Sequence, residues 1–387
     1  VTSVHPSGHF VAFNTGQETT RAFVPEPLPP TESLRFERLY EPLEAATLAL
    51  GKLDGISSLL PDTPLFLYMY IRKEALLSSQ IEGTQSSLSD LLLYENQAAP
   101  GVPIDDTAEV ANYVAAMDHG LLRLREGFPI SLRLIREIHD VLLSGNRGAD
   151  KNPGEFRRSQ NWVGGPRPSL AAYVPPPPDR LMECMGELEK FIHQEDPAYP
   201  VLVKAGLVHV QFESIHPFLD GNGRLGRLLI TFLLCASGLL REPTLYLSLY
   251  LKKNREEYYE LLQAVREKSA WEEWLIFFLK GIRETSQQAF ETAQKIIALF
   301  EKDQDRIEKL GRQAGSTLRV HQYLQSRPLV SIPSACQSLN LTAPTVTKAM
   351  NNLQQLGIVS EITGQKRSRM YVYDGYLRLL SEGTEPL

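Results

Sequence analysis

The sequence predicts a mainly α-helical protein with one β-hairpin set between helices and a small helix–turn–helix–hairpin unit after them. Two observations carry this prediction. Apolar periodic stretches free of Gly and Pro recur along most of the chain, whereas extended pieces are short and sit around Gly/Pro turns near 161–174. From about residue 312 the pattern changes to short helices and a strand–turn–strand.

A chain of 387 residues should hold two or three domains and bury a large core. With 43% apolar and 22% charged residues the balance is ordinary, and a net charge of −6 argues against a general nucleic-acid coat, leaving a local basic patch open. Cys184, Cys235 and Cys336 are odd in number, widely spaced and outside any metal-ligand pattern, so they read as free thiols in a reducing cytoplasm. No signal-peptide pattern is visible. The strongest apolar run, 228–240, falls short of the ~20 residues a membrane span needs, so no membrane partner is expected.

In order, residues 1–40 read as an extended arm ending in Val24-Pro25-Glu26-Pro27-Leu28-Pro29-Pro30. A helical region follows over 41–110, in which 65–82 runs without a breaker to Gly83, a natural C-cap. Glu82 then lies in the last turn, where the helix dipole disfavours a carboxylate; it is either solvated or held by a cation from elsewhere. After a linker-like break at 100–106, 107–126 and 130–144 read as scaffold helices. Asn161 to Val174 reads as the β-hairpin, and 181–193 as an amphipathic helix. The apolar stretch 201–215 reads as a buried central helix delivering His216 at its end, with His209 a hydrogen-bonded core residue. Asn254 is expected to cap a helix with acids in its first turn. Residues 271–282 complete a core over 111–285, and 286–311 read as a connecting helix with a solvated charged face.

The chemistry concentrates in His216-Pro217-Phe218-Leu219-Asp220-Gly221-Asn222-Gly223-Arg224-Leu225-Gly226-Arg227. Its glycine turn lets several backbone N–H groups point into one concavity, and the apolar run after it places that turn at a helix N-terminus. Arg224 and Arg227, three apart, share a helix face, so the nest and two guanidinium groups make a receptor for a polyphosphate. Asp220 adds a hard oxygen ligand of the kind Mg²⁺ takes beside phosphates, and His216 is the side chain here that accepts a proton near neutral pH. Phosphate cradle, metal ligand and base together point to transfer chemistry on a nucleotide.

This string resembles the Fic family signature, HxFx(D/E)GNGRxxR, at every defined position. The changed glycine turn of the phosphorylating Doc branch is absent. The resemblance implies a Fic-type helical core with a β-hairpin flap and transfer of AMP from ATP, with Mg²⁺, to a Ser, Thr or Tyr hydroxyl of a protein. It implies that His216 deprotonates the hydroxyl and Asp220 holds Mg²⁺. Gly221, Asn222 and Gly223 would then form the anion hole, and Arg224 and Arg227 would hold the outer phosphates. Ser78-Ser79-Gln80-Ile81-Glu82-Gly83 resembles the family's inhibitory motif (S/T)xxxE(G/N), which implies that Glu82 pairs with Arg227, with Ser78 part of that motif. An Arg engaged by a carboxylate cannot also grip a γ-phosphate. The resemblance further makes 161–174 the flap, with Val163 and Gly164 nearest the nucleotide, and brings Tyr258 and Tyr259 near the adenine; Gln211, one turn before the signature, is a further candidate contact. Whether the donor is ATP or another nucleotide, whether AMP is also removed, whether the protein modifies itself and whether it is a homodimer stay open.

Residues 312–387 resemble a winged helix: a helix from 318, Ile332–Leu339, a turn, 344–356 capped by Thr342, then strands on either side of Gly364-Gln365-Lys366-Arg367. From 317 to 374 there are six Lys or Arg against two acids. DNA contact would place Thr345, Thr347, Lys348 and Asn351 in a groove and Lys366, Arg367 and Arg369 at phosphates; a protein-docking role is the rival. A DNA-binding regulator with a nucleotide-sensing Fic portion is thus the alternative to the transferase.

Overall fold

A computed structural model describes residues 7–15, 18–32, 34–57, 63–95, 104–145, 148–195, 199–364 and 369–386 and is mainly helical. Its first departure from expectation is the N-terminal segment. Instead of an extended arm, strands β1 (Gly8–Thr15) and β2 (Glu18–Pro25) pair antiparallel, Gly8 opposite Pro25 and Thr15 opposite Glu18. Aromatic and β-branched residues favour this pleated surface, and the Phe10 and Phe23 rings meet edge to face at 5.3 Å.

Helix α1 (Phe36–Ser57) packs along a later long helix, and α2 (Thr63–Ile81) ends one residue sooner than the sequence pattern predicts. Gly83 adopts φ 105°, so the chain turns there and leaves Glu82 just past the helix end. A short helix not anticipated from the sequence, α3 (Leu88–Glu95), follows; Ser87 and Asp90 exchange reciprocal side chain–backbone hydrogen bonds of 3.2 and 2.8 Å that cap it. Helices α4 (Ile104–Arg125) and α5 (Leu132–Leu142) lie close to their predicted spans, α5 capped by Ser131.

The predicted hairpin at 161–174 reduces to one antiparallel bridge between Val163 and Tyr173, with N–H···O distances of 2.8 and 3.1 Å. Gly164 and Gly165 turn the chain with positive φ, and Pro166, Pro168 and Pro175 lack the N–H a longer ladder requires. The N-terminal hairpin is laid against this loop: Phe23 N–H donates to Val174 O at 2.9 Å.

Helix α6 (Pro178–His193) precedes the buried pair at the centre, α7 (Val201–Ile215) and α8 (Asn222–Ala236), which pack side by side. Gly226 permits this: a Cβ there would lie 2.6 Å from Glu213 Oε1. After α9 (Ser248–Lys253) and α10 (Arg255–Lys268), α11 (Trp271–Glu308) runs unbroken for 38 residues, so the helices expected over 271–282 and 286–311 are one. Its continuation buries Ala289, Ala293, Ile296 and Ile307 on one face, while Glu291, Lys295, Glu301 and Lys302 are exposed. Asn254 does not cap α10 with its side chain, which instead donates to Tyr250 O at 2.9 Å.

The last unit comprises α12 (Ala314–Ser326), β3 (Leu329–Ser331), α13 (Ile332–Leu339), α14 (Ala343–Gln355), β4 (Val359–Glu361), β5 (Met370–Tyr373) and α15 (Asp374–Ser381). Its antiparallel sheet has the order β3-β5-β4; neither β3 nor α15 was legible in the sequence pattern. Thr342 makes no side-chain cap, its hydroxyl pairing with that of Thr345 at 2.9 Å. Lys366 and Arg367 lie outside the described residues. The unit is fastened to the rest: α12 and α15 pack on α2, and Tyr373 donates to Asp303 of α11 at 2.8 Å.

Candidate active site

Helix α7 ends at His216, whose left-handed conformation (φ 49°) redirects the chain into the signature turn. That bend is pinned by its carbonyls. Arg157 Nε donates to His216 O at 3.0 Å, Asn161 Nδ2 donates to Phe218 O at 2.7 Å, and Arg157 N–H donates to Pro217 O at 2.9 Å. Asn222 closes the loop from inside, accepting from Phe218 N–H and donating to Phe218 O, both at 2.9 Å. Its amide therefore braces the turn, and the backbone N–H groups that open α8 are the donors an anion could use there.

Behind the turn stands His139 of α5, stacked on Phe218 with ring centroids 3.7 Å apart. Its Nδ1 accepts Gly154 N–H at 2.9 Å, so Nε2 carries the proton and donates to Asp220 O at 3.0 Å. Burial drives its pKa down to about 4, consistent with a neutral, fixed tautomer. Sequence reasoning treated α5 as scaffold; a buried His on an otherwise apolar helix face was the available signal.

The His216 imidazole is itself neutral near pH 7, its pKa pushed down to about 4 by burial and then by Arg266 and Arg157. Its Nδ1 has no hydrogen-bond partner among the described residues and lies 3.9 Å from the buried carboxyl of Glu213. Burial raises Glu213 to about 7.

Both signature arginines are engaged. Arg224 Nη1 meets Glu109 of α4 at 2.6 Å and Nη2 meets Asp220 at 3.4 Å. Arg227 is gripped three times: Nε donates to Ser78 Oγ at 2.8 Å, and Nη2 donates to Ser78 O at 3.0 Å and Glu82 Oε1 at 2.6 Å. Burial opposes ionisation of Glu82, but the Arg227 guanidinium outweighs it and holds the carboxyl below its ordinary value. A Cβ built on Gly223 would overlap Glu82 Oε1, so the carboxylate lies directly on the first turn of α8.

Asp220 Oδ1 accepts Gly221 N–H at 2.6 Å, leaving Oδ2 without a hydrogen bond to a described residue. A single carboxylate of this kind fits Mg²⁺, which takes its remaining ligands from phosphates and water; no cluster of three metal-ligating side chains occurs among the described residues. Val163 and Tyr259 are partly exposed, and Tyr259 lies within electrostatic reach of Glu82 and Arg227. Two candidates are turned elsewhere. Gln211 donates to Glu26 O at 2.8 Å, and Tyr258 is buried with its hydroxyl on His209 at 2.8 Å, packed against Trp274. His209, whose other ring nitrogen meets Gly226 O at 3.0 Å, is the hydrogen-bonded core residue expected of it.

The model of the Fic/DOC family N-terminal region matches residues 40–122, and that of the Fic/DOC family matches 129–234, which includes the signature. The chain belongs to the Fic family. A protein adenylyltransferase Fic from Aedes aegypti is 34% identical over 243 residues, covering 60% of this chain and 43% of that one. One from Drosophila yakuba is 32% identical over 191 residues, 48% and 35% of the two chains. The chain thus spans less than half the length of these Fic relatives. The crystal structure of a Fic family protein from Desulfovibrio desulfuricans G20 superposes with TM-score 0.56 at 20% identity, over 89% of this chain and 98% of that one, a likeness of Fic fold alone. No helix among the described residues is long and apolar enough to cross a membrane.

Proposed function

We propose that this chain is a self-restrained protein adenylyltransferase, moving AMP from ATP to a hydroxyl of a protein. The observation that carries the reading is the grip of Glu82 and Ser78 on Arg227 at the first turn of α8. A carboxylate held at a helix N-terminus between a guanidinium and a glycine occupies a position made for an anion. Phosphate oxygens compete for the same donors.

In the transfer, the target hydroxyl oxygen forms a bond to the α-phosphorus and the bond to the bridging oxygen breaks, releasing pyrophosphate. His216, neutral and partly reachable, takes the hydroxyl proton. Arg157 and Asn161 keep the ring in place through its own carbonyl. The N–H groups opening α8 bind the charge, with Arg224 and, once Glu82 leaves, Arg227 on the outer phosphates. Asp220 would hold Mg²⁺, which supplies charge neutralisation on the phosphates. Val163 turns both its N–H and C=O toward Tyr173, so the backbone groups of 162 and 164 are those left for strand addition by a target.

The C-terminal unit is read as a winged helix docking on duplex DNA or protein, with Lys348 and Asn351 exposed on α14. Incubation with labelled nucleotides, wild type beside Glu82→Gly and His216→Ala, tests the transferase reading. Intact-mass shifts identify the group moved, and retained transfer by His216→Ala contradicts the base assignment.

A further inference from the structure

Helix α2 is held from two sides. Ser78 and Glu82 face Arg227, while Lys73 and Gln80 reach a different stretch of chain, the residues that follow α15. Lys73 Nζ donates to Glu382 O at 2.8 Å, and Gln80 Nε2 donates to Thr384 O at 2.9 Å. Lys252 of α9 completes the set, donating to Gln80 Oε1 at 2.7 Å and to the carbonyl of Glu385. All three donors are buried, at 2%, 0% and 7% exposure, and Thr384 is buried with them. Gly383 threads between them at φ 81°, where a Cβ would stand 2.9 Å from Leu249 Cδ1.

Each hydrogen bond to this segment is accepted by a backbone carbonyl, and Thr384 N–H donates to Ser381 O at 3.0 Å, so the surface holds the backbone of a turn, with the Glu382 and Glu385 carboxylates adding charge nearby. Buried cations need such acceptors: burial lowers Lys73 to about 8, against which the Glu382 and Glu385 carboxylates and the Tyr246 ring, 4.6 Å away, favour its charge. Gln80 joins this surface to the inhibitory turn. Its carbonyl accepts Gly83 N–H at 3.1 Å, and its side-chain amide also donates to Ser86 O at 3.0 Å, on either side of the residues that follow Glu82.

We infer that Lys73, Gln80 and Lys252 form a receptor for the backbone carbonyls of a turned peptide segment, that residues 382–385 are its occupant, and that occupancy keeps Glu82 seated over Gly223. The regulatory half rests on the adenylyltransferase reading; the receptor does not. Vacating it frees Gln80, loosens the turn at 82–86 and lets Glu82 leave Arg227. Because α15 leads directly from β5 into this segment, it joins the C-terminal unit to the inhibitory helix beside the packing of α12 and α15 on α2.

The test uses the whole 387-residue chain with Gly383→Val, which alters neither α2 nor the signature. Lys73→Met, which keeps the side-chain stem and removes the donor, is the second variant. Backbone hydrogen exchange at 82–84 should quicken about fivefold or more in both, the lower end of a typical coupling. Incorporation of label from α-labelled ATP into the protein itself should rise by a similar factor, and should not rise further when either change is added to Glu82→Gly. Unchanged exchange at 82–84 in both variants overturns the receptor. An equal rise in the Glu82→Gly background overturns its link to inhibition. Faster exchange while Glu82→Gly itself fails to activate leaves the receptor standing and defeats the adenylyltransferase reading instead.

Discussion

Arg227 and Glu82 meet at 2.6 Å although 145 residues separate them, and the guanidinium is almost wholly buried while the carboxylate keeps about a third of its side chain in solvent. Such a pair is tight in geometry and still within reach of a competitor. Water can solvate the departing carboxylate, and a triphosphate can replace it on the arginine.

Replacing Glu82 with Gly should therefore raise AMP transfer about tenfold or more, since a ~1.4 kcal/mol shift in the competition is already a factor of ten. Incorporation of labelled AMP by purified, folded protein checks this. A rate equal to or below that of the wild type removes the inhibitory role.

Ser78→Ala should activate less. It deletes the hydroxyl on Arg227 Nε but keeps the Ser78 carbonyl and Glu82 on Nη2, so one of three acceptors is lost. Measured in the same assay, its rate should fall between wild type and Glu82→Gly.

His216→Ala, placed on the Glu82→Gly background, should lower transfer by about 10² to 10⁴, the range for loss of a positioned base. Nucleotide affinity should stay near that of the background, because the imidazole is not among the phosphate donors. Equilibrium binding of ATP beside the transfer rate separates the two effects.

His139→Phe should preserve the ring stack on Phe218 while stranding Gly154 N–H and Asp220 O, costing about 1–3 kcal/mol of stability. Denaturant unfolding would show the loss. A fall in kcat on the Glu82→Gly background would mark the disturbed Asp220 turn.

Stability should decline as pH falls from about 7 toward 4.5. His139, His216 and His321 are held near 4 and His209 near 3, chiefly by burial, so below about 6.5 the unfolded chain binds protons the folded one refuses. Glu74 and Glu213, raised to about 7 by burial, act oppositely, since the folded state keeps their protons as pH falls from 7 to 4.5. Four imidazoles against two carboxyls leave the unfolded state the net binder. A Tm that climbs as pH drops through this window would contradict the burial of the histidines.

Much of this was legible because it is local. The glycine turn, both arginines, Asp220 and His216 occupy 12 consecutive residues, and helix geometry alone brings them to one helix end. The β1–β2 hairpin was hidden because the prolines of 25–30 dominate that stretch, and the predicted flap hairpin shrank to one bridge because prolines there remove donors. Tyr258 shows the limit of motif reasoning: adjacent tyrosines differ wholly in burial, and helix rotation, not residue type, assigns one to the core.

The amino-acid order by itself determined the helical class, the glycine turn that opens a helix and the presence of an acid at a helix end, since each depends on neighbours along the chain. The partner of that acid, Arg227, was named by family resemblance and not by residue chemistry; only the packed structure brought the two together, and only it decided that Glu109 rather than solvent faces Arg224 and that residues 382–385 lie across α2. Those partners are 115, 145 and roughly 300 positions apart, and a side chain's chemistry states what it can bond without naming which distant segment burial will bring to it.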